Sequence, residues 1–136
     1  MADFGKEISV EGSFEEVKAK VVSALKTQGF GILTEINVQK TLKEKIDVEF
    51  EPYQILGACN PQLAHQALQA DKMIGLLLPC NVVIRAAGES VAVSILDPEV
   101  MFSIVSPETK SALATLPGEA KSRLWAALGT LESRQG

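Results

Sequence analysis

Aromatic side chains are scarce in this chain, at 5% of its residues, and it has one histidine (His65), one tryptophan (Trp125) and two cysteines (Cys59 and Cys80). Each shortage excludes something. Without a second histidine or a clustered Asp/Glu set, a hydrolytic metal centre is hard to build. A phosphate-cradling loop is missing as well, because Gly29-Phe30-Gly31 lacks a third glycine at the right spacing and follows a predicted helix. Basic charge is not in excess. Thirteen Lys and Arg face 17 Asp and Glu, the net charge is −4, and the isoelectric point is about 5.0. A nucleic-acid binder normally shows a basic patch or a high isoelectric point. Lys40, Lys43 and Lys45 do cluster, but Glu44 interrupts them and Glu49 and Glu51 follow, which reads as a solvated helix face. Long apolar runs are absent too. The apolar, uncharged stretch Met73 to Ile84 contains Pro79 and falls short of the roughly 20 residues a membrane helix needs. The opening residues, Met1-Ala2-Asp3-Phe4-Gly5-Lys6, carry no apolar signal segment. The expectation is a cytoplasmic protein that binds neither nucleic acid nor membrane and keeps its cysteines as thiols.

What is present is aliphatic. Apolar residues make up 46% of 136 residues, mostly Val, Ile, Leu and Ala, enough for one core and one domain over 1–136. Phe4 to Val10 alternates as a first strand. Ser13 and Glu16 have capping-box spacing, and Phe14, Val17, Val21, Ala24 and Leu25 then form one helical stripe. Gly29 stands where a left-handed C-terminal cap is needed. Phe30 to Ile36 reads as a strand, and Val38, Leu42 and Ile46 as a short amphipathic helix capped by Asn37. Tyr53 to Ala58 is a third strand, and Asn60-Pro61 starts a helix with Leu63, Ala64, Ala67 and Leu68 on its apolar face. Leu76 to Ala86 reads as one long apolar strand, joined through Gly88-Glu89 to Val91, Val93 and Ile95 as a hairpin. Asp97-Pro98-Glu99 and Ser106-Pro107-Glu108 open further helical turns. Ala120, Leu124, Leu128 and Leu131 line a last helix after Pro117-Gly118, where Trp125 reads as packing. Hairpin connections predict an α+β fold, a mostly antiparallel sheet with helices on one face.

The residues that could carry chemistry lie in two matched segments, Gly57-Ala58-Cys59-Asn60-Pro61 and Leu78-Pro79-Cys80-Asn81. Each places a Cys-Asn pair at or near a strand end. Cys59 directly precedes a predicted helix N-terminus, where the dipole and free N–H groups favour thiolate. The candidate binding residues are Cys59, Asn60, His65, Cys80 and Asn81. Buried cysteine used as a small hydrophobe is the plain alternative. A metal site from Cys59, His65 and Cys80 lacks the close ligand spacing such sites show, so no metal and no cofactor is assigned. Asn60 reads most simply as a cap.

Several runs together resemble a known family, the domain of unknown function 302. They are Gly29-Phe30-Gly31-Ile32-Leu33-Thr34-Glu35-Ile36, Thr41-Leu42-Lys43-Glu44-Lys45, Tyr53 through Pro61, and Gly75 through Val83. The resemblance spans Phe4 to Met101; the C-terminal helix rests on periodicity. It implies a TATA-binding-protein-like layout, β-α-β(4)-α with extra short helices and a curved antiparallel sheet, and often a homodimer. A shared fold does not bring DNA binding with it, and the resemblance transfers no catalytic residues. The apolar surplus from Ile74 to Val83 is the expected dimer surface. Three functional classes follow: a homodimeric module that binds or senses a small ligand beside its cysteines, a thiol-dependent redox protein or enzyme using Cys59, and a structural interaction domain. Whether the chain is an enzyme stays open at this point.

Overall fold

The computed structural model describes residues 4–132, so the start of the opening hexapeptide, Met1 to Asp3, lies outside the described residues. Five strands form a single antiparallel sheet: β1 (Gly5–Val10), β2 (Gly31–Asn37), β3 (Tyr53–Cys59), β4 (Cys80–Ala87) and β5 (Ser90–Leu96), in the order β1-β5-β4-β3-β2. Between and after them come α1 (Phe14–Thr27), α2 (Val38–Ile46), α3 (Pro61–Ala70), α4 (Pro98–Met101), α5 (Pro107–Leu113) and α6 (Leu116–Gly129). The predicted class, an antiparallel sheet with helices packed on one face, is the observed one.

Local chemistry starts the first helix as predicted. Ser13 Oγ accepts from the Glu16 N–H and Glu16 returns a carboxylate to the Ser13 N–H, which satisfies two donors that the helix leaves free. Gly29 follows the cap with φ +85°, a conformation that costs an L side chain but not glycine. Alternation then decides which face of the sheet is buried. Ile8 and Val10, Leu56 and Ala58, Cys80, Val82 and Ile84, and Val91, Val93 and Ile95 all point to the helical side. There they meet Val17, Val21 and Leu25 of α1 and Ala120, Leu124, Ala127 and Leu128 of α6, in one continuous core.

Two predicted boundaries are corrected. The apolar run Leu76 to Ala86 is not one strand. Asp71 accepts from the Met73 N–H and starts a 3-10 turn over Lys72–Leu77, closed by the Leu78 N–H on the Gly75 carbonyl. Pro79, which follows a cis peptide bond, has no N–H to give a ladder, so pairing begins at Cys80. An unbroken apolar run has no period by which to separate such a turn from a strand. The last helix begins at Leu116, ahead of Pro117-Gly118, because proline is tolerated in a first helical turn where its missing N–H has no partner to lose. Leu131 falls just past its end.

The apolar stretch expected to be surplus surface is mostly covered. Ile74 and Val82 are core residues, and of Ile74 to Val83 only Leu76 is a large exposed apolar side chain. The exposed apolar surface instead includes Leu33 and Ile36 of β2, Ile46 at the end of α2, and Val48 and Phe50 just after it. No residue of α2 is buried. None of the helices described is long and apolar enough to cross a membrane.

Candidate functional site

The two Cys-Asn segments are neighbours in space. β3 and β4 run antiparallel with Ala58 opposite Cys80 and Gly57 opposite Asn81, so the matched segments lie side by side. Around them closes a small apolar cavity of about 30 Å³, bordered among others by Phe30, Cys59, Asn60, Leu63, Pro79 and Cys80. That is room for about a water molecule and far below the roughly 300 Å³ of a small-ligand pocket. Apolar walls of this kind stay dry.

Asn60 fills the role that its sequence position implies. Its side-chain oxygen accepts from the Gln62 and Leu63 N–H groups while the residue itself is 7% exposed. That arrangement works against a thiolate at Cys59 and agrees with the plainer alternative, a cysteine used as a small hydrophobe. Pro61 has no N–H, the next two are taken by Asn60 Oδ1, and the Ala64 N–H goes to the Asn60 carbonyl. No helix donor is left for sulfur. Burial therefore raises the Cys59 thiol instead of lowering it. Cys80 is pushed up to about 11, first by burial and then by its proximity to Cys59.

Cys59, the last residue of β3, stands one residue from the Ala58–Cys80 pair, borders the same cavity as Cys80 and lies near enough to raise its thiol. Both are free. His65 is exposed on α3, two residues from each of the helix's buried positions Leu63 and Ala67, and does not line the cavity. Asn81 faces away as well, exposed on the open side of the sheet. Among the described residues, no three of His, Cys, Asp and Glu stand close enough to hold a metal ion.

Sequence reasoning misses that open side. Outward residues form three rows across the sheet: Tyr53, Arg85, Ala92, Ser9; Ile55, Val83, Ser94, Glu7; and Gly57, Asn81, Leu96, Gly5. Arg85 reaches over β5 to Glu7, its Nη2 donating to both carboxylate oxygens at 3.0 and 3.1 Å, and the Ser94 hydroxyl donates to the same carboxylate at 2.7 Å. The Ser94 bond, together with the hydrogen bond and charge of the Arg85 guanidinium, holds the Glu7 carboxyl below its usual range. A depression of about 370 Å³ opens beside this cluster, lined by Phe4, Tyr53, Asn81, Val83, Arg85 and Leu96 among others. One signal in the sequence points here. Arg85 is a lone charge inside an apolar strand, and such a charge must face away from the core.

Comparison with known proteins agrees with the residues quoted above. Residues 6–131 match the family profile described as "Domain of unknown function DUF302". The chain belongs to the DUF302 family. The match includes α6, for which the sequence itself offers periodicity alone. A crystal structure of an uncharacterized conserved DUF302 protein from Bacillus stearothermophilus superposes with a TM-score of 0.86 at 27% identity, covering 96% of this chain and 100% of that one. Among curated proteins none matches.

The thiols of this DUF302 chain give a direct prediction. At neutral pH iodoacetamide should alkylate Cys59 several-fold more slowly than a small free thiol, and Cys80 only after denaturation. Cys80 also sets a pH dependence. An unfolded thiol ionises near pH 9 and the folded one near 11, so its contribution to stability is fully present below pH 9 and is lost between about 9 and 11. Rapid labelling of Cys59 near pH 7 in the folded protein would contradict this.

Proposed function

We propose that the protein is a noncatalytic binding module that works as a homodimer. The observation that carries this reading is the uncovered apolar surface on β2, α2 and the segment after α2. Leu33 is 67% exposed, Ile36 49%, Ile46 63%, Val48 40% and Phe50 38%. A nine-residue helix is too short to persist on propensity alone and needs a face to bury. A second copy supplies one, and β2 is an edge strand whose free backbone groups invite pairing. Charge is self-complementary there. Lys43 already holds Asp47 and Glu49, while Lys40, Lys45 and Glu51 have no ion pair among the described residues. A two-fold axis would set the basic helix of one protomer against the acidic segment of its partner.

Thiols that burial keeps protonated favour this reading over a thiol enzyme or redox dithiol. Two free cysteines fit a reducing compartment, so we place the module in the cytoplasm. Its layout we read as TATA-binding-protein-like, without nucleic-acid or membrane partners, given an isoelectric point of about 5.0. Light scattering tests the dimer. The expected mass is twice the 14.6 kDa chain, reverting to one chain in the Leu33→Glu, Ile46→Glu double variant. A single-chain mass for the unaltered protein at every concentration, or a dimer indifferent to both charges, would overturn it.

A further inference from the structure

We propose that the depression on the open sheet face is a binding site for a small carboxylic acid with an apolar body. The inference rests on the binding-module reading and supplies the ligand class that reading lacks. Size is the first argument, since about 370 Å³ lies within the range of small-molecule pockets, roughly 300–1,000 Å³. The second is the unused half of Arg85. Only Nη2 is engaged, by Glu7; Nη1 and Nε make no bond to any described residue. These two lie on different edges of the planar guanidinium, so a ligand carboxylate would take a charge-assisted hydrogen bond from one of them rather than bridge both. Glu7 engages Nη2 alone, and its carboxylate is itself held by the Ser94 hydroxyl.

The surroundings select the rest of the ligand. Tyr53 stands opposite Arg85 on the neighbouring strand, and Val83, Leu96 and Phe4 give an apolar floor and rim. Asn81 adds an exposed amide at the other end. Charge disfavours phosphate. Arg85 is already balanced by Glu7, and Lys6, which also borders the depression, holds its ammonium over the Trp125 ring, so a monoanion is easier to place beside the acidic side chain than a dianion. The geometry therefore suits one carboxylate carried on an aromatic or branched aliphatic body.

Benzoate is the probe, with benzamide as its neutral isostere and inorganic phosphate as the dianion, titrated into the full-length, isotope-labelled protein and followed by amide chemical shifts. Benzoate should give saturable shifts centred on Asn81, Val83, Arg85 and Ser94, at least tenfold tighter than either benzamide or phosphate. Arg85→Met should weaken benzoate at least tenfold. Glu7→Gln should keep or tighten it, because a repelling carboxylate is removed, and this second variant remains informative if the first misfolds. Equal binding of benzoate and benzamide, an unaffected Arg85→Met, loss of binding in Glu7→Gln, or no saturable shift up to millimolar benzoate would each overturn the proposal. The mass of the unaltered protein by light scattering keeps the two readings apart: a dimer that binds no benzoate refutes the site and leaves the dimer standing, and a single chain that binds it refutes the dimer alone.

Discussion

Replacing Leu124 by alanine should cost about 2–5 kcal/mol of stability, the range found when a buried leucine leaves a cavity that the surroundings only partly fill. Leu124 is fully buried on α6. It belongs to the same core as Val17, Val21 and Leu25, on the face where α6 packs against α1. Both helices are needed to cover the buried side of the sheet, so the loss should register in the whole domain. Denaturant titration should show one cooperative transition at a lower midpoint with an unchanged slope. Ser122, exposed two residues earlier, is the control, and Ser122→Ala should move stability by less than about 0.5 kcal/mol. A Leu124→Ala loss under about 1 kcal/mol would mean that α6 sits loosely on the domain and that the described core is incomplete.

Leu124 also marks how far residue patterns reach by themselves. Residues 120, 124 and 128 recur at helical spacing, and that period locates α6 although it places the start too late. Helix starts are legible wherever a side chain does local work: Ser13 with Glu16, Asn37, Asn60, Asp97 and Ser106 all cap as their chemistry predicts. The segment from Lys72 to Pro79 is not legible, because a turn and a strand built from the same apolar residues differ only in which backbone groups pair. The candidate site is half legible. The likeness of the two cysteine segments singles them out together, but the direction of the Cys59 shift depends on which donors Asn60 has already taken. The Arg85–Glu7–Ser94 cluster joins residues 78 and 87 positions apart in sequence, so no local pattern can bring them together.

Gly57 should tolerate no side chain at all. A Cβ built there would lie 2.6 Å from Pro79 Cγ and closer still to Thr34 Oγ1, where real Cβ atoms essentially never sit. Conformation alone argues the other way, because glycine inside a strand is about 0.5–1 kcal/mol worse than alanine. The sign of the change therefore reports the space. If the contact governs, Gly57→Ala destabilises by about 1–3 kcal/mol, the cost of overpacking, even though alanine is the better strand residue. The clash has an identifiable partner that can be removed. Thr34 faces Gly57 across the β2–β3 ladder, and Thr34→Ala takes away the hydroxyl the new methyl would meet. The double variant should then recover part of the loss, with a coupling of about 0.5–3 kcal/mol, while Thr34→Ala in the glycine background changes little. The residual loss belongs to Pro79, whose ring packs over Gly57 at the entrance to β4. A neutral or stabilising Gly57→Ala would show that the two cysteine segments approach less closely than described, and the dry cavity between them would then be larger than about 30 Å³. Strong coupling to Thr34 would instead locate the reason for glycine in the first segment. It lets Pro79 lie flat against β3, which brings Cys80 into the ladder opposite Ala58 and seals the core beneath both thiols.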